Sequence, residues 1–137
     1  MSTTITRKEI SSSQRIKHTA DLFGIRFPVN IEPAIYSIAG NIATEYDGAY
    51  WEFYSLSNGG FYMAPSLTKL YQVSCINGYE GSLSADALGI TACLYAYSHL
   101  SFSSNTAFAE ICANHYHWLR VYMLEHTEAC AILSAID

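Results

Sequence analysis

Basic residues are scarce in this chain of 137 residues: seven Lys and Arg stand against twelve Asp and Glu, a formal net charge of −5 with His neutral. They are also unevenly placed. Five of them (Arg7, Lys8, Arg15, Lys17, Arg26) fall in the first 26 residues against Glu9 and Asp21, a local +3, and the remainder carries two basic against ten acidic residues, a local −8. An acidic body repels a phosphate backbone, so direct DNA binding by the body of the domain is disfavoured; only the N-terminal arm has the required sign. Long apolar runs are missing too. No stretch supplies the roughly 20 apolar residues of a membrane span, and MSTTITRKEISSSQ offers no signal-peptide core, so a soluble, cytoplasmic protein is expected. The phosphate-cradling patterns G-x-G-x-x-G and G-x-x-x-x-G-K-[ST] do not occur, nor do C-x-x-C, H-E-x-x-H or G-x-S-x-G. Nucleotide-driven chemistry has no support, and no cofactor is implied.

What the chain does contain is apolar and aromatic. Half of its residues are hydrophobic and eleven are Tyr, enough for one substantial core with a Tyr-rich margin, because a packed Tyr needs a wet or hydrogen-bonded edge for its hydroxyl. Cys75, Cys93, Cys112 and Cys130 are widely spaced and read as buried thiols rather than disulfides.

Residues 1–26 read as a polar N-terminal arm with a short helix near Ile16–Phe23, followed by an extended connection at Arg26-Phe27-Pro28. From Pro33 to Tyr46, apolar residues recur at helical spacing, and Asp47-Gly48 stops the helix. Trp51–Tyr54 and Phe61–Ala64 have strand composition, with Asn58-Gly59-Gly60 as the hairpin turn. Leu70–Ile76 forms a third strand, Asn77-Gly78 a second turn, and Tyr79–Leu83 a short fourth piece. Ser84 is the expected N-cap of a helix apolar nearly all round, Asn105 that of a second, and Thr127-Glu128 opens a last one. The fold class expected is α+β: one domain, residues 27–137, with a three- to four-stranded antiparallel meander packed with about four helices.

Candidate chemistry is sparse. Cys112 and His115 share a helix face, but His117 points away from it, and Cys93 and His99 complete no ligand spacing, so core or capping roles are favoured over a metal site. Glu45, Asp47 and Glu52 surround the hairpin entrance, and Glu80 and Asp86 flank the next turn. A glycosidase-like carboxylate pair would need these groups to converge in a pocket, which spacing alone does not show. The two glycines of the hairpin loop are explained by turn geometry, and Trp51 by burial.

Beyond these physical readings, three blocks carry a resemblance. YDGAYWEFYSLSNGGFYMAP (Tyr46–Pro65), NGYEGSLSADALGI (Asn77–Ile90) and HYHWLRVYMLEHTEACAILSAID (His115–Asp137) resemble, in order, characteristic segments of the ArdB/KlcA antirestriction family. The match spans about Phe27 to Asp137; Ala49 replaces an expected glycine. The resemblance implies a non-enzymatic protein of plasmids and other mobile elements that protects incoming unmodified DNA from type I restriction enzymes. Its expected partner is the type I restriction-modification machinery or an associated host protein. Mimicry of DNA would need carboxylates near phosphate density, one charge per roughly 1.7 Å of duplex axis, and ten acids diluted over Phe27–Asp137 do not provide it. A local protein contact or an indirect effect is the better expectation. Asp47, Glu52, Tyr54, Asn58, Tyr62 and Asp86 form the candidate contact surface, against the alternative that they only cap turns and shield the sheet. A small hydrolase using Glu52 or Asp86 and a structural or regulatory module remain as other readings, and an uncovered apolar helix surface would favour a homodimer.

Overall fold

A computed structural model describes Thr4 to Asp137. Its elements run β1 (Arg7–Ile10), α1 (Arg15–Phe23), a single turn of π-helix (Phe27–Ile31), α2 (Glu32–Ile42), β2 (Trp51–Leu56), β3 (Phe61–Pro65), β4 (Leu70–Ser74), β5 (Glu80–Ser84), α3 (Ala85–Leu100), α4 (Thr106–Met123) and α5 (Ala129–Ile136). The α+β class is as expected, and all strand pairs are antiparallel. The strands are divided, however: β1-β2-β3 make one sheet and β4-β5 a separate hairpin.

The N-terminal lead-in is more structured than its polarity suggested. Arg7–Ile10 pairs with Leu56–Phe53 as an edge strand whose first three residues are exposed, so it has no apolar alternation to betray it. Pro28 and Pro33 each lack an N–H, which prevents an unbroken i→i+4 ladder between them. The connection at Phe27 is accordingly not extended but wound, with the Glu32 N–H donating to the Phe27 carbonyl five residues back. The α2 helix stops at Ile42, short of Tyr46, because Ala43 leaves it to bridge Val73 on the second hairpin.

Both turns form where the glycines lie. Gly59 (φ 101°) and Gly78 (φ 92°) occupy the left-handed region. Gly60 serves a different need: a Cβ there would press on Leu56 and Trp118 at 3.0 Å. Ser84 and Asn105 cap α3 and α4 as expected, their side chains accepting from the Ala87 and Phe108 N–H groups.

The core is organised around α3, which contacts β3, α2, α4 and α5. Its small residues explain this. Ala87, Gly89, Ala92, Cys93 and Ala96 are fully buried, and the Cys93 thiol donates to the Met63 carbonyl. β3 is buried along its whole length, with Phe27 edge-on to Phe53 and Phe61 and Phe23 edge-on to Phe61. Closest approach occurs at Gly89, where an added Cβ would lie under 3.0 Å from the Ala64 Cβ and the Met63 carbonyl oxygen. Backbone atoms cannot yield as a flexible side-chain tip would. Gly89→Ala, which on an open helix would be favourable, is expected to destabilise the fold by about 2–3 kcal/mol through overpacking. Chemical denaturation of the variant beside the parent chain measures this; an unchanged midpoint would refute the close contact.

Candidate partner-contact site

Successive residues of a strand point to opposite faces, so β2 presents Trp51 and Phe53 to one side and Glu52 and Tyr54 to the other. On the second side the strand opens into a cleft of about 660 Å3. Arg7 and Glu9 of β1, Glu52 and Tyr54 of β2, Lys69 of the β3–β4 loop and Asp86 at the start of α3 line it. Three of the six residues expected to form a contact surface are thus brought together: Glu52 and Tyr54 of one strand, and Asp86 from more than thirty residues further along the chain.

The other three have different positions. Tyr62 is fully buried beneath the cleft, so its place is in the floor rather than on an accessible surface. Its ring stacks on Tyr54 at 5.0 Å between centroids, and the Arg7 guanidinium covers the Tyr54 ring at 4.3 Å. Asn58 is occupied in the hairpin turn, accepting from the Gly60 N–H and donating to the Trp118 carbonyl. It pins the turn to α4 and has no part in the cleft. Asp47 is exposed on the loop after α2 and does not line the cleft.

Asp86 is the node of the site. Its Oδ1 accepts from Arg7 Nη1 (2.7 Å) and from the Tyr62 hydroxyl (2.8 Å), and Arg7 Nη1 lies 2.6 Å from that same hydroxyl. Its Oδ2 pairs with His126 Nε2 at 2.8 Å. The Glu128 N–H donates to His126 Nδ1, which fixes the tautomer with the proton on Nε2. Glu128 in turn accepts from both the amide and the hydroxyl of Ser84, the N-cap of the helix that carries Asp86. Desolvation by itself would push the Asp86 carboxyl up; the hydrogen bonds from His126 and Tyr62 and the charge of Arg7 outweigh it, and the net direction is downward. Burial and the adjacent Asp86 charge hold the Tyr62 phenol well above its ordinary value, so it remains a donor.

This geometry suits a fixed anion better than a catalyst. A general acid needs a raised pKa and a free oxygen, whereas Asp86 has a lowered one with both oxygens engaged. Glu52 is paired with Arg15 at 3.4 Å. Cys93 and Cys112 are poor nucleophiles: burial pushes their thiols up to about 12 and about 11. Cys130, expected to be buried, is exposed, because it lies on the outer side of the short α5. His115, set among Phe23, Tyr97 and Trp118, is lowered to about 4 by burial and stays neutral. His117 is exposed on α4 and apart from that cluster.

Arg7 and His126 are the members that sequence reasoning passed over. Arg7 belongs to an edge strand without apolar alternation, and His126 to the turn between α4 and α5. No spacing rule links residues 7, 62, 86 and 126; only the fold does.

A profile of the family described as "Antirestriction protein" matches residues 44–137. A curated relative, antirestriction protein KlcA of Escherichia coli, is 38% identical over 135 residues, covering 97% of this chain and 95% of its own length. A second E. coli antirestriction protein KlcA is 43% identical over 108 residues, covering 77% of this chain and 74% of its own. A solved structure from work on the KlcA and ArdB proteins superposes with a TM-score of 0.91 at 38% identity over 100% of both chains. Those proteins are described as having a novel fold and antirestriction activity against type I DNA restriction systems in vivo but not in vitro.

Because the Asp86 carboxyl is depressed in the fold, its stabilising contribution is complete above the unfolded value near 3.9 and disappears as pH falls through the lower folded value. Asp86→Asn is therefore expected to cost about 2–4 kcal/mol at pH 7, since it weakens charge-assisted bonds to Arg7 and His126. The gap between variant and parent should shrink below about pH 4. Urea denaturation across that range provides the check; a gap independent of pH would show that the carboxylate charge is not what holds the node.

Proposed function

The chain belongs to the antirestriction protein family, and from that premise we propose that it alleviates type I restriction of unmodified incoming DNA by a protein contact made at the Asp86 cleft. Likeness to the KlcA and ArdB proteins, at 38% identity and with a TM-score of 0.91 over the length of the chain, is the observation that carries this reading. The cleft supplies a surface of mixed charge with an aromatic wall, formed by Glu52, Tyr54 and Asp86 with Arg7, Glu9 and Lys69 at its margins. Such composition fits a protein partner, either the type I machinery or a host protein associated with it. We read the protein as non-catalytic, because the carboxylate best placed for chemistry is committed to three donors.

The charge arrangement argues against the two DNA-centred alternatives. Arg7, Arg15 and Lys17, three of the five basic residues of the N-terminal arm, are spent on Asp86, Glu52 and Asp21. They are not presented as a phosphate-binding strip. Those same pairs neutralise acids that a DNA mimic would need to display. A direct blockade of a DNA channel is thereby disfavoured, and activity in vivo but not in vitro, as described for KlcA and ArdB, fits a contact that needs a further cellular component.

Expression of the protein in cells carrying a type I system should raise the plating of unmodified phage toward that of modified phage. Glu9→Lys combined with Lys69→Glu, at the cleft margin, should reduce the protection at least about tenfold while leaving the melting temperature within the small range typical of surface changes. Asp47→Lys, away from the cleft, should leave protection intact. Equal restriction with and without the parent protein would refute the activity; full protection by the cleft variant would refute the contact surface.

A further inference from the structure

Antiparallel strands alternate between residues that exchange both main-chain hydrogen bonds with the partner and residues whose main-chain groups point away from it. The phase between β1 and β2 is fixed by the Ser57 N–H, which donates to the Thr6 carbonyl at 2.9 Å. In the register that sets Lys8 against Ser55 and Ile10 against Phe53, those two residues bond inward, and the N–H and C=O groups of Arg7 and Glu9 point out of the sheet. No strand lies beyond β1 on that side, and among the described residues those outward groups have no hydrogen-bond partner.

Proteins commonly blunt such an edge with a proline, a bulge, a covering loop or charge. Here the register runs without a break, the strand holds no proline, and its first three residues are exposed. Charge alone guards it. A two-fold pairing with a second copy can centre on Arg7, on Lys8 or on Glu9, and each choice sets that residue against its own like charge. The edge is thus closed to itself and open to a strand of different sequence. Arg7 and Glu9 project over the Asp86 cleft, whereas Lys8 stands on the opposite face, beside the buried Ile10. Arg7 is spent on Asp86, but Lys8 and Glu9 form no ion pair among the described residues.

We infer that the protein partner of the Asp86 cleft adds one extended segment to the outer edge of β1, with an acidic residue opposite Lys8 and a basic residue opposite Glu9. The main chain of Arg7 and Glu9 offers a donor and an acceptor at each residue, and the paired charges select the segment. The added strand runs along the margin of the cleft, because Glu9 belongs to both. The inference rests on the reading of that cleft as a protein contact, and extends it to a face of the sheet that does not line the cleft.

Plating of unmodified phage on cells that carry a type I system tests this with two changes at one position. Glu9→Ala removes the side chain alone, and Glu9→Pro also removes the outward N–H, at an edge position that accepts proline. Glu9→Pro should protect at least about tenfold less than Glu9→Ala, with the circular dichroism spectrum retained. Lys8→Glu, exposed and off the cleft, should lower the parent's protection about fivefold, a loss that a partner confined to the cleft would not produce. If Glu9→Pro fails to fold, Lys8→Glu decides. Equal protection by Glu9→Pro and Glu9→Ala, or parent-level protection by Lys8→Glu, would overturn the edge contact and leave the antirestriction reading standing. No protection by the parent chain would overturn both. A dimer in sedimentation that Glu9→Pro dissolves would assign the edge to a second copy and overturn the inference as well.

Discussion

Three parts of the chain that fold from distant sequence meet on the Asp86 carboxylate. Arg7 brings the edge strand β1, Tyr62 the central hairpin, and His126 the turn between α4 and the short α5. An unpaired carboxylate at this depth would be costly, and unpaired donors around it equally so, which makes the arrangement cooperative: each partner is oriented by the others. The knot ties β1, the edge strand beside β2, to Tyr62 of β3 and to the N-terminus of α3, and the cleft lies between these elements. Beneath, the helix can come so close to β3 only because position 89 has no side chain.

The legible parts of the fold were those with strong local rules. Hairpin turns at Asn58-Gly59-Gly60 and Asn77-Gly78, the caps Ser84 and Asn105, and the nearly all-apolar α3 each depend on residues within a few positions of one another. What escaped depends on long-range pairing. β1 is polar because its outer edge faces water, and the π-helical turn arises from two prolines five residues apart acting on one backbone ladder. The strands divide into two sheets, and Ala43 leaves α2 to bridge Val73 of the second, a long-range contact with no local signal.

The candidate site was half legible for the same reason. Family blocks drew attention to Glu52, Tyr54 and Asp86, and the cleft gathers them. They also drew attention to Asn58 and Tyr62, whose distinctiveness has a structural cause: one pins a turn to α4, the other is the buried floor and a donor to Asp86. Arg7 and His126 become visible only in the fold, because neither lies in a recognisable spacing with the residues it orients.

Arg7 and Arg15 of the N-terminal arm are paired with Asp86 and Glu52 and form no basic strip for DNA, and the ten acids of the body are too dilute to mimic it, which makes a local protein contact the central claim. Competition on a purified type I restriction enzyme tests it most directly, by titrating the protein into the enzyme bound to labelled unmodified DNA and following the bound DNA by anisotropy. The account predicts that DNA stays bound across the titration. Displacement of the DNA in proportion to added protein, with an apparent affinity that weakens as salt is raised, would contradict it.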